Sequence, residues 1–130
     1  MKLVKIIRGY AAAVAEGESV PEGWTAVCRP EDAPQGAPAI SEAELALLAA
    51  PPLAELKNQL AARARRRASE KLAATDYAII RQWEQGTLPQ DELDALKAQR
   101  QAARDACNAF EAALEACADA RSALELDPEL

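Results

Sequence analysis

Apolar positions alternate only near the start of the chain; from residue 41 onward they recur every third or fourth position. The first pattern is that of strands and the second that of amphipathic helices. Lys2 to Arg8 reads as a short strand, and Trp24 to Cys28 as a second, with large and small side chains alternating. Glu16-Gly17-Glu18 and Val20-Pro21-Glu22-Gly23 between them are turn material, so the two strands are expected to pair as a hairpin. Arg29 to Pro38 is rich in Pro and Gly and reads as a linker.

Ser41-Glu42-Ala43-Glu44 is a capping box, in which the serine oxygen accepts from the backbone three residues on and Glu44 reaches back. A short helix should run from Glu42 to about Ala50 and stop at Pro51-Pro52. Leu53, Leu56, Leu60, Ala64, Ala68 and Leu72 then lie three or four apart, the stripe of a longer helix. Two continuations are open after Ala74. Thr75 or Asp76 caps a new helix, with Ile79, Ile80 and Trp83 on its apolar face, or one helix runs unbroken from Leu53 through Gln85. Gly86 fits a left-handed C-cap, and Pro89 the first position of the next helix.

From Leu93 the spacing is cleanest. Leu93, Leu96, Arg100, Ala103, Cys107, Phe110, Leu114, Cys117, Arg121 and Leu124 alternate three and four apart, a heptad seam with arginine at two places. One helix of about 50 Å is expected, at 1.5 Å per residue, ended by Asp127-Pro128. An arginine in a seam is costly unless paired or wet, so Arg100 and Arg121 should sit at loose or ion-paired positions. The fold class is mainly α: a long helical hairpin or coiled coil (41–130) following a small N-terminal β-hairpin-like unit with its linker (1–40).

Composition narrows the function. Half of the 130 residues are hydrophobic, yet about a quarter are alanine and only 4% are aromatic. The core of one chain is thin, which favours an oligomer or a partner-bound protein over a rigid monomeric enzyme. The net charge of −6 opposes sequence-independent binding to nucleic acid or to anionic membranes. Arg63, Arg65, Arg66, Arg67 and Lys71 read as a phosphate patch or as a solvated helix face, and the acidic remainder favours the second. No apolar run approaches the roughly 20 residues of a membrane span. Met1 to Ile7 begins like a signal peptide, but Arg8 ends the apolar run too early. The expected location is the cytoplasm of the producing cell.

There is no histidine, and the three cysteines (Cys28, Cys107 and Cys117) have neither disulfide nor zinc spacing. No glycine-rich phosphate loop or nucleophile elbow occurs. No metal, cofactor or catalytic residue is assigned, and an enzyme is not expected. Trp83 and Phe110 read as hairpin core or as partner-binding residues together with Tyr77, Ile80 and Leu114. Trp24 is either the core of the N-terminal unit or an exposed anchor for a partner.

One stretch carries a resemblance. Ala74-Thr75-Asp76-Tyr77, Arg81, Gly86, Pro89 and Arg100-Gln101-Ala102-Ala103-Arg104-Asp105 follow the order "A-T-D-aromatic, R, G, P, R-x-x-x-R-D". The segment from Ala62 to Arg104 resembles the C-terminal part of bacteriophage tail assembly proteins, including tail-fibre assembly chaperones. Val20-Pro21-Glu22-Gly23-Trp24-Thr25 is similar to the "P-x-G-W" of their N-terminal units. Tyr77 stands where tryptophan is usual and Ala103 where leucine is usual, and the chain continues past Asp105. The resemblance implies a chaperone that binds a phage tail-fibre chain in the cytoplasm of a bacterial host and helps it fold or trimerise, with some members staying at the fibre tip of the virion. It singles out Thr75, Asp76, Arg81, Gly86, Arg100, Arg104 and Asp105 as motif residues. The alternative is a structural coiled-coil subunit of a tail or other assembly.

Overall fold

A computed structural model describes residues 1–129. Four strands, β1 (Lys2–Ile7), β2 (Tyr10–Glu16), β3 (Trp24–Val27) and β4 (Ala39–Ile40), precede four helices, α1 (Glu42–Leu47), α2 (Leu53–Gln85), α3 (Gln90–Glu115) and α4 (Ala120–Glu125). The chain is mainly helical, with two long helices and a small N-terminal sheet. Contacts divide it into two compact units. One is Met1–Leu56 with Ala118–Glu125; the other is Lys57–Cys117 with the chain from Leu126 onward.

In the first unit the sheet order is β2-β1-β3-β4. β1 pairs with β3 antiparallel, Leu3 opposite Ala26 and Lys5 opposite Trp24. They are not a hairpin, as the sequence pattern suggested, because β2 intervenes and pairs with β1 first. Arg8 (φ 52°) and Gly9 (φ 81°) make the two-residue turn between β1 and β2, both at positive φ as a type I′ turn requires. Tyr10-Ala11-Ala12-Ala13-Val14-Ala15 carries no alternation, so composition alone hides this strand.

The stretch from Arg29 to Pro38 is not an open linker. A 3₁₀ turn at Pro30–Asp32 leads to a bond from Ala37 N to Pro34 O (2.9 Å), and β4 then returns parallel to β3. Ser41 caps α1 as expected, accepting from Glu44 N at 3.1 Å. The helix ends at Leu47, sooner than its apolar spacing implies, and the Leu48 carbonyl accepts from Ala11 N of β2 at 2.8 Å. Leu3, Val4, Ala26, Val27, Leu56, Ala123 and Leu124 form the buried core of this unit.

From Lys57 onward α2 belongs to the second unit, and from Leu53 to Gln85 it is one continuous helix, which decides between the two continuations that the sequence allowed. Thr75 does not cap a new helix; its Oγ1 donates back to Leu72 O at 3.0 Å, a bond compatible with uninterrupted helix. Gly86 (φ 60°) ends α2 in the left-handed region, and α3 begins at Gln90 with Pro89 as its N-cap, one place earlier than expected for proline. Leu88 N donates to Gln82 Oε1 at 2.8 Å and ties down the short turn.

The helices run antiparallel. Lys57 Nζ donates to Glu115 O at 3.0 Å, Arg65 pairs with Glu111, and Arg100 reaches Leu72, Thr75 and Asp76. Leu60, Ala64 and Ala68 of α2 and Ala103, Cys107, Phe110 and Leu114 of α3 are buried. Those on α3 fall on the expected three-four spacing.

The expected single helix from Leu93 to Leu124 is interrupted. α3 stops at Glu115, with Cys117 N bonded to Leu114 O and Ala116 N to Ala112 O. Asp119 then starts α4, its Oδ1 accepting from Ser122 N (2.8 Å) and Ser122 Oγ (2.7 Å). Such a local cap offers the backbone an alternative to continued helix. Arg121 is therefore no seam residue; it is exposed and pairs with Glu125 at 3.0 Å. Among the described residues no helix is long and apolar enough to cross a membrane.

Candidate partner-binding site

Three of the motif residues, Thr75, Asp76 and Arg100, form a clamp. Arg100 Nη1 lies 2.7 Å from Thr75 Oγ1, 2.8 Å from Asp76 Oδ1 and 2.8 Å from Leu72 O. Two hydrogens serve three acceptors, so one is shared. The Arg100 side chain is 15% exposed, and Asp76 supplies the opposite charge that a sheltered guanidinium needs. The seam arginine is thus paired, as its position demanded. Beside it lies a groove of about 490 Å³ walled by Ala74, Ala102, Ala103 and Ala106, with Lys71 and Gln99 at its margin.

Other motif residues stand apart from the clamp. Arg81 Nε donates to Gln85 Oε1 at 3.3 Å on the same helix, and Asp105 accepts from Gln101 at 2.9 Å. Arg104 is exposed on α3. The "P-x-G-W" segment is a β-turn closed by Trp24 N and Pro21 O (3.1 Å), with Gly23 at φ 83°. Trp24 itself is half-buried on β3.

Beyond the clamp the hairpin has no core. None of the residues from 69 to 102, all of them described, is buried. Tyr77 is 73%, Ile80 56% and Trp83 90% exposed. The three are spaced by three along α2, so they form one oblique apolar ridge on the solvent side of the helix. Leu93 and Leu96, the first seam positions of α3, are half-buried. Phe110 and Leu114 lie elsewhere, buried in the base of the hairpin, and present no free surface. Among the six residues read as partner-binding, the structure therefore brings together Tyr77, Ile80 and Trp83.

Titration adds little chemistry. Burial raises the Cys107 thiol, the Glu111 charge raises it further, and Arg65 opposes both. Asp119 is lowered by the bonds from Ser122 N–H and Oγ. Among the described residues no cluster of three or more acidic, histidine or cysteine side chains could hold a metal. The Asp119 cap is the feature that the apolar spacing concealed; Asp-x-x-Ser before Ala123-Leu124 was its local sign. No family model, curated protein or solved structure matches the chain.

Proposed function

We propose that this protein is an assembly chaperone for a phage tail fibre, acting by binding and not by catalysis. The observation that carries the reading is the exposed ridge of Tyr77, Ile80 and Trp83 at the core-free end of the hairpin. A tryptophan left nine-tenths exposed on an ordered helix is the kind of anchor from which interfaces draw their energy. The clamp of Thr75, Asp76 and Arg100 lies immediately before the ridge and fixes the helix that bears it. Those same residues belong to the order shared with tail-fibre assembly proteins, which supports a fibre chain as the partner. The ridge shields apolar surface of the folding fibre in the host cytoplasm until trimerisation closes it.

The test is co-expression of the tagged protein with its genomic neighbours, followed by light scattering of what co-purifies. The expected result is a stoichiometric complex with a long fibre-like chain and more soluble trimer. Unchanged fibre assembly without the protein would sink the proposal.

The other reading, a structural coiled-coil subunit, draws on the three-four spacing of Leu93, Leu96, Ala103, Cys107, Phe110 and Leu114. Over Ala103 to Leu114 that seam is buried within the chain.

A further inference from the structure

The outer face of α2 has a charge pattern that its own reverse complements. Leu60, Ala64 and Ala68 are buried, whereas Arg66, Ala73, Tyr77, Ile80 and Glu84 are exposed. Arg66 and Glu84 lie eighteen residues apart, which is five full turns at 3.6 residues per turn. They therefore point in the same direction from one straight helix, about 27 Å apart at 1.5 Å per residue. Neither the Arg66 guanidinium nor the Glu84 carboxylate has a hydrogen-bond or ion-pair partner among the described residues; the neighbouring Arg63, Arg65 and Arg67 are held by Glu129, Glu111 and Glu70.

The midpoint between the two charges is level with Thr75. On the outer face Ala73 and Tyr77 flank it, one small and one large.

We infer that a second copy of this chain covers this face, with its α2 running antiparallel about a two-fold axis at the level of Thr75. That operation sets Arg66 of each copy against Glu84 of the other. It also sets each Tyr77 ring over the Ala73 of the opposite copy, where a methyl group leaves room for it. A two-fold interface needs this self-complementarity. A parallel arrangement brings arginine to arginine and glutamate to glutamate, and is excluded by repulsion. Ile80 supplies apolar area on each side of the axis. The inference does not rest on the tail-fibre reading. The second copy covers Tyr77 and Ile80, so dimer and fibre chain compete for that part of the ridge, which leaves Trp83 as the residue the dimer does not use.

The test uses the full chain with charge reversals at these two exposed positions. Sedimentation equilibrium should show the unaltered protein forming dimers at micromolar concentrations. Arg66→Glu and Glu84→Arg should each weaken the dimer about tenfold or more, because two attractive pairs become repulsive ones. Mixing the two variants should restore a dimer, and so should combining both changes in one chain. Arg66 and Glu84 are too far apart to meet within one rigid helix, so restoration reports contact between copies.

Circular dichroism verifies that each variant is folded. A protein that stays monomeric, alone and in the mixture, overturns the inference. A dimer indifferent to both reversals also overturns it, since another face then holds the copies together. The chaperone reading fails independently, if co-expression yields no fibre complex.

Discussion

Arg100 of α3 lies 2.8 Å from Asp76 of α2, and its own side chain is only 15% exposed. A cation this sheltered, in a seam of otherwise uncharged residues, holds the helices by direction as much as by attraction. The same nitrogen bonds Thr75 and the Leu72 carbonyl, so the contact fixes both spacing and register.

Removing this contact should loosen the hairpin. Arg100→Ala is expected to lower the unfolding free energy by about 1.5–3 kcal/mol, the range for hydrogen bonds to charged groups. Asp76→Asn should cost less, about 1 kcal/mol or under, because Asp76 is half exposed. Urea titrations of the two variants check the order; an equal or reversed order contradicts a clamp centred on Arg100.

Trp83 and Phe110 should behave oppositely. Trp83→Ala removes a side chain that touches mostly water, and the expected change in stability is within about 0.5 kcal/mol. Phe110→Ala empties part of the hairpin base and should cost about 3–5 kcal/mol. Thermal melts give the stabilities, and co-purification with the partner gives the other half of the contrast. Trp83→Ala should lose the partner while remaining folded.

The Asp119 cap should be acid-sensitive. Its carboxyl is held below the ordinary value by Ser122 N–H and Oγ, so the ionised form is favoured in the folded state. The stabilisation is complete above the ordinary Asp value of about 3.9. It is lost as pH falls through the lowered folded value. Amide exchange within α4, compared between the native chain and Asp119→Asn, should show a pH dependence over this window that the variant lacks.

Thiol labelling offers a direct check on the hairpin base. Cys107 is buried, and its thiol is pushed up chiefly by that burial, so little thiolate is present near neutral pH. Cys28 and Cys117 are both half-buried. Cys107 should label last, at a rate that follows unfolding. Labelling of Cys107 alongside the other two would mean that the base opens far more readily than its packing implies.

Helical spacing revealed the larger part of this molecule. Leu56, Leu60, Ala64 and Ala68 lie where a three-four stripe places them, and Phe110 and Leu114 where the second seam does. Gly86 marked the end of α2 because a left-handed residue favours glycine. What escaped that reading depends on long-range or side-chain bonds. β2 is an alanine run held by its partner strand, and the early stop of α1 accompanies a carbonyl bond to Ala11. The break after α3 comes with the Asp119–Ser122 cap. At the site, Thr75, Asp76 and Arg100 were three of seven residues that the resemblance singled out, and nothing in their spacing tied them to one another, while apolar spacing alone made Trp83 a candidate for the core. It is exposed because it lies with Tyr77 and Ile80 on the solvent side of α2, while Leu93 and Leu96 of α3 are half-buried elsewhere, so nothing closes over its ring.

A hairpin whose packing is concentrated at one end is an arm of adjustable reach. Its base, from Leu60 to Leu114, neither touches nor depends on the number of turns beyond the clamp. Seven residues added to α2 just before Tyr77, and seven to the facing part of α3, would preserve the helical phase of both. They would carry the aromatic ridge about 10 Å farther out at 1.5 Å per residue. Length in this region is therefore free to be set by the geometry of whatever the arm must touch.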